Sequence, residues 1–60
     1  MLPKEGEMVK VLDLPSYREE SKPQFPFIGK VIKVSPYPYF VVVGNGQMYE
    51  LYEDDGYEII

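Results

Sequence analysis

The chain alternates between short apolar runs and polar punctuation, and no helical repeat persists along it. Val9 and Val11 stand two residues apart within Glu7–Asp13, which predicts a strand ending at Leu14-Pro15. Pro15 to Pro26 is polar and broken by prolines, so it predicts a long loop, with room for one helical turn where Ser16-Tyr17-Arg18-Glu19 has capping-box spacing. Phe27–Val34 is the second predicted strand and Ser35-Pro36-Tyr37-Pro38 a turn. Tyr39-Phe40-Val41-Val42-Val43 is the densest run of β-branched and aromatic residues, and it predicts the third strand. Asn45-Gly46, inside Gly44–Gln47, suits a type I′ hairpin, which needs positive φ at both central residues. Met48–Tyr52 then returns antiparallel, Glu53–Gly56 makes a tight polar turn of 3₁₀ character, and Tyr57–Ile60 is a short last strand.

Composition supports this reading. Six prolines, at 3, 15, 23, 26, 36 and 38, leave little room for helix. Sixty residues make a single domain, and a core of that size supplies no more than about 3–5 kcal/mol. The pattern leaves open whether residues 1–6 and 15–26 are ordered. Cysteine and histidine are both absent, which removes disulfides, thiolate metal sites and the commonest general base. No cofactor or metal is expected. Adjacent Glu19 and Glu20 on a loop lack the sheltered pocket that splits carboxylate pKa values, so an enzyme is not expected. Glu53-Asp54-Asp55 lacks the spacing of a calcium loop and reads as a solvated turn.

Net charge is −4, with an acidic isoelectric point near 4.5. All six basic residues lie in the first 33 positions, beside five acids, while positions 34–60 hold five acids and no base. An acidic chain is poorly matched to phosphate backbones, so nucleic acid is the lesser expectation. No stretch approaches the ~20 apolar residues of a membrane helix. No secretory leader pattern is visible, which makes the cytoplasm the default compartment.

Five strands in this rhythm predict an all-β fold, a small five-stranded barrel whose closure would remove exposed edges. The element order resembles the SH3-like barrel. The Pro15–Pro26 loop falls where such folds join their first two strands, Asn45-Gly46 at the distal hairpin, and Glu53–Gly56 at the 3₁₀ turn. Gly29-Lys30-Val31-Ile32-Lys33-Val34 is similar to a glycine-valine-valine pattern of small SH3-like barrels, among them KOW-type domains and small accessory subunits of photosynthetic electron-transfer complexes. The chain departs from peptide-binding SH3 domains, having neither an Ala-Leu-Tyr-Asp-Tyr-type motif nor any tryptophan. The resemblance therefore does not imply recognition of proline-rich ligands. Nor does it imply RNA binding, since KOW-type domains of ribosomal proteins are usually basic.

A two-residue turn fixes the hairpin register. It pairs Val43 with Met48, Val42 with Tyr49, Val41 with Glu50, Phe40 with Leu51, and Tyr39 with Tyr52. One face carries Phe40, Val42, Tyr49 and Leu51. It has no charge and is expected in the core, with Val9, Val11, Ile28, Val31, Val34 and Ile59 as partners and a bulge near Ile32. The other face carries Tyr39, Val41, Val43, Met48, Glu50 and Tyr52, with Ile32 beside them. A solvent-facing hairpin side is usually polar; this one is apolar and aromatic, as protein interfaces are. The expected function is therefore non-catalytic protein interaction, with another protein or with a second copy. Tyr39, Met48 and Tyr52 would serve as anchors, Val41 and Val43 lie between them, and Tyr37 stands at the margin. Glu50 would set the polarity, and Glu53, Asp54 and Asp55 would supply rim charge. An acidic chain of this size also suits an accessory or inhibitory protein of the kind phages and mobile elements encode. Two alternatives stand beside this one. The long loop, with Phe25 and Phe27, is able to fold over the same face and cover it. A nucleic-acid-binding surface would use Lys10, Lys30, Lys33 and the tyrosines.

Overall fold

The computed structural model describes residues 2–36 and 39–60. Five strands form one antiparallel sheet: β1 (Met8–Asp13), β2 (Phe27–Val34), β3 (Tyr39–Gly44), β4 (Gln47–Tyr52) and β5 (Gly56–Ile59). A three-residue 3₁₀ turn, Glu19–Ser21, sits in the long loop, just beyond the stretch where the sequence suggests it. The sheet order is β4-β3-β2-β1-β5, so the first four strands run as a meander and β5 returns to pair with β1. The all-β, five-stranded class matches the sequence expectation.

Closure into a barrel is not made by strand pairing. β4 and β5 are the two ends of the ladder. β4's outward backbone donors at Glu50 and Tyr52 have side-chain partners. The Tyr52 N–H donates to an Asp55 carboxylate oxygen at 2.9 Å, and the Glu50 N–H donates to the Tyr17 hydroxyl at 2.9 Å. Side chains, not a fifth partner strand, take those groups.

The hairpin forms in the expected register, from Gly44↔Gln47 to Tyr39↔Tyr52. Asn45 and Gly46 both have positive φ, 54° and 75°, as a type I′ turn requires. The core contains all four inward residues of this hairpin, Phe40, Val42, Tyr49 and Leu51, together with Val9, Val11 and Val31. The β2–β3 register shifts between Val31 and Lys33, which is the expected bulge at Ile32. It lets Val31 be buried while Val34, three residues on, also packs against the core.

Two expected core partners lie elsewhere. Ile28 is 47% exposed, because strict alternation from Phe27 puts Phe27, Gly29 and Val31 inward and Ile28 on the opposite side. Ile59 pairs with Val9 but stays 41% exposed, since it closes a four-residue edge strand with no neighbour beyond it. Phe27 and Leu14 take core places that the hydrophobic pattern left unassigned. Gly44 shows why Phe27 fits. A Cβ there would meet the Phe27 ring at 2.8 Å and the Ile28 carbonyl oxygen at 2.9 Å, so the absent side chain is the ring's space.

The segment before β1 is packed. Pro3 is buried and Leu2 packs on the core. The Gly6 N–H donates to the Val31 carbonyl at 2.8 Å, and the Val31 N–H to Glu7 at 2.9 Å, which extends the β1–β2 ladder backwards past the β1 start. The turn expected at 35–38 lies partly outside the described residues.

Candidate functional site

Register places the outward residues in rows across three strands. Lys30 of β2 lies opposite Val43 of β3, which lies opposite Met48 of β4. Lys33 lies opposite Val41, which lies opposite Glu50. Tyr39 lies opposite Tyr52, with ring centroids 5.9 Å apart and the planes tilted at 44°. Exposure follows the rows. Met48 is 68% exposed, Ile32 43%, and Val43 and Tyr52 38% each, while Val41 and Tyr39 are half-buried. An apolar stripe thus runs along β3, open to solvent, where a sheet covered on one side normally shows polar residues.

The charged groups flank that stripe asymmetrically. Lys30 and Lys33 stand on its β2 side and Glu50 on its β4 side. Across β2, β3 and β4, bases therefore stand on one side of the stripe and an acid on the other. The Tyr52 hydroxyl donates to the Glu50 carboxylate at 3.4 Å. That carboxylate raises the Tyr52 pKa above its ordinary value near 10, with desolvation a smaller contribution in the same direction.

The other residues singled out by sequence fall as follows. Glu53 and Asp54 are exposed in the β4–β5 turn. Asp55 is not rim charge. It is buried, at 6% exposure, and its carboxylate accepts the Tyr52 N–H and the Ser16 hydroxyl at 3.3 Å, tying the long loop to the turn. A turn this tight directs its last acidic side chain back onto the strand end it has just left. Tyr37 lies outside the described residues. Lys10 lies opposite Glu58 of β5, Lys30 and Lys33 stand on β2, and Tyr39 and Tyr52 stand on β3 and β4.

The loop does not cover the stripe with Phe25 and Phe27. Phe27 turns inward against Tyr49, centroids 5.1 Å apart, and Phe25 stacks on Phe27 at 6.2 Å. The loop's contribution is Tyr17, whose hydroxyl holds the Glu50 backbone at the outer edge of β4 and whose ring tilts against Tyr49 at 6.0 Å. Sequence reasoning did not single out Tyr17, and a tyrosine in a proline-punctuated loop gives no signal of which strand edge it will meet. Lys22 holds the far part of the loop, lying 3.7 Å from Asp13 and 3.6 Å from Glu19.

A shallow groove of about 410 Å³ results, with Val41 and Met48 in its floor, Tyr17 and Glu50 on the β4 side, and Ile32 and Lys33 on the β2 side. A larger depression of about 740 Å³ lies between the loop and the hairpin turn, is mainly polar, and includes none of the residues expected in the interaction face. Among the described residues, no cluster of three or more acidic side chains is placed to hold a metal ion. No helix among them is long and apolar enough to cross a membrane. Comparison with protein-family models, with curated proteins and with solved structures yields no match for this chain.

Proposed function

We propose that this chain is a non-catalytic protein-interaction module that docks through the outer face of the β3–β4 hairpin. The observation that carries this reading is the solvent-open stripe of Val41, Val43 and Met48, bounded by the Tyr39–Tyr52 pair. Tyrosine and methionine give large contact area, tyrosine at low entropic cost and methionine with a side chain that adapts to its partner. The strands beneath are held by a fully apolar inner face, so the surface is presented rigidly and little ordering is needed on docking. Accessory or inhibitory action through such contact needs no catalytic group of its own.

Site-specific photo-crosslinking tests this reading. A benzophenone side chain is placed at Met48 and, as control, at exposed Glu20 on the long loop. Adducts of discrete mass, identified by mass spectrometry and formed from position 48 alone, support docking through this face. Equal labelling at both positions, or none at position 48, overturns it.

A further inference from the structure

The polarity across the stripe carries a more specific conclusion, which rests on the docking role just proposed. We propose that the partner of this face is a second copy of the chain, packed face to face about a two-fold axis that runs along β3. In a symmetric dimer the same patch must complement itself. An axis along β3 exchanges the β2 side of one copy with the β4 side of the other. The row Lys33–Val41–Glu50 is antisymmetric about its centre, basic then apolar then acidic. Laid on its own rotated image, it sets Lys33 over Glu50 twice and Val41 over Val41. The neighbouring row, Lys30–Val43–Met48, sets Val43 over Val43 and the aliphatic stem of Lys30 over the exposed Met48 side chain. No like charges meet in either row. A foreign partner would need a matching acidic-apolar-basic pattern of its own, which the second copy already has.

The size of the patch sets the strength. Three strands about 4.8 Å apart and six residues long at ~3.4 Å rise make a footprint of roughly 14 by 20 Å. That is the scale of a weak, reversible interface and not of an obligate one. Glu50 and Lys33 are exposed at the rim of the stripe, so the ion pairs govern register and pairing choice more than they add affinity.

The test is sedimentation equilibrium up to ~1 mM, a range chosen for an interface of this class, on the wild type, Lys33→Glu, Glu50→Lys, the double variant carrying both, and an equimolar mixture of the two single variants. Both positions are exposed, and amide spectra check that each variant stays folded. The expected result is a wild-type mass that rises towards twice 7.0 kDa. Each single variant dimerises at least about tenfold more weakly, because like charges now meet twice. The double variant and the mixture recover dimerisation. A dimer indifferent to the single substitutions, or one not recovered in the mixture, overturns the two-fold packing. A wild type that stays monomeric overturns self-association. In that case a soluble nitroxide separates the two claims. Broadening of the Val41, Val43 and Met48 methyl signals in the monomer leaves the docking role standing with another protein as occupant. Their protection in the monomer removes both.

Discussion

The β3–β4 hairpin presents two faces of nearly the same chemistry and opposite fate. Inward stand Phe40, Val42, Tyr49 and Leu51, all buried; outward stand Tyr39, Val41, Val43, Met48 and Tyr52, all wholly or partly open. By type only Glu50, outward on β4, separates them; valine and tyrosine occur on both sides, and what distinguishes those residues is cover. The inner face receives Phe27 against Tyr49 and the Tyr57 ring edge-on to Phe40 at 4.9 Å, besides the valines of β1 and β2. Among the described residues, the outer face receives Tyr17 along one margin. Apolar residues on both sides of a strand state a demand for cover twice, and the chain meets it once.

The sharpest way to break this comparison is to empty the inner face. Phe40→Ala is expected to remove about 3–5 kcal/mol. That is comparable with all the stability a core of this size supplies, so the variant should lack a cooperative urea transition at 25 °C. Asp55→Ala belongs to neither face but removes the buried acceptor of the Tyr52 N–H and the Ser16 hydroxyl. It should cost about 1.5–3 kcal/mol in urea melts and speed amide exchange at Tyr52 first. Gly44→Ala adds one methyl to the inner side, against the Phe27 ring and the Ile28 carbonyl. Overpacking of this kind should cost about 1–3 kcal/mol, with the Phe27 ring signals shifting most. On the outer face, Val43→Thr keeps the shape and strand preference of the side chain, and should change stability by less than about 0.5 kcal/mol. A loss as large as that from an inner-face residue would mean that the outer face is covered within the monomer.

The smallest effect is alkaline. Tyr52 is raised above its ordinary value by the Glu50 charge first and burial second, and Tyr57 by burial first and the Glu53 charge second. A tyrosine whose folded pKa lies above its unfolded one contributes stability that is intact below pH 10. That contribution declines as pH rises through the folded value. Melting temperature should therefore be flat across neutral pH and fall above pH 10, and Glu50→Gln should lower the pH at which the Tyr52 phenol titrates spectroscopically.

Much of this arrangement can be read from the residues. Asn45-Gly46 dictates the turn type, the turn dictates the register, and the register sorts the hairpin into its two faces. The Ile32 bulge follows from the need to bury both Val31 and Val34. Local pattern was less informative where long-range packing decided the outcome. Ile28 and Phe27 are adjacent and both apolar, and the strand pattern alone does not say which turns inward; Gly44, whose missing side chain leaves room for a ring, is what accommodates Phe27 in the interior. Asp55 looks like one of three solvated acids until the turn folds its carboxylate onto β4. Closure of the sheet is the expectation least supported by local pattern, because it depends on long-range pairing of β4 and β5, while side chains take the β4 edge at Glu50 and Tyr52.

That occupied edge bears on how the protein ages in concentrated solution. A stretch as rich in valine and tyrosine as 39–52 has the composition of a cross-β spine, and a bare lateral strand would template its own kind. At Glu50 and Tyr52 the template positions are occupied by a phenol and a carboxylate. A newcomer strand must displace both before it can add to β4. These two bonds therefore hinder growth of the sheet into a fibril.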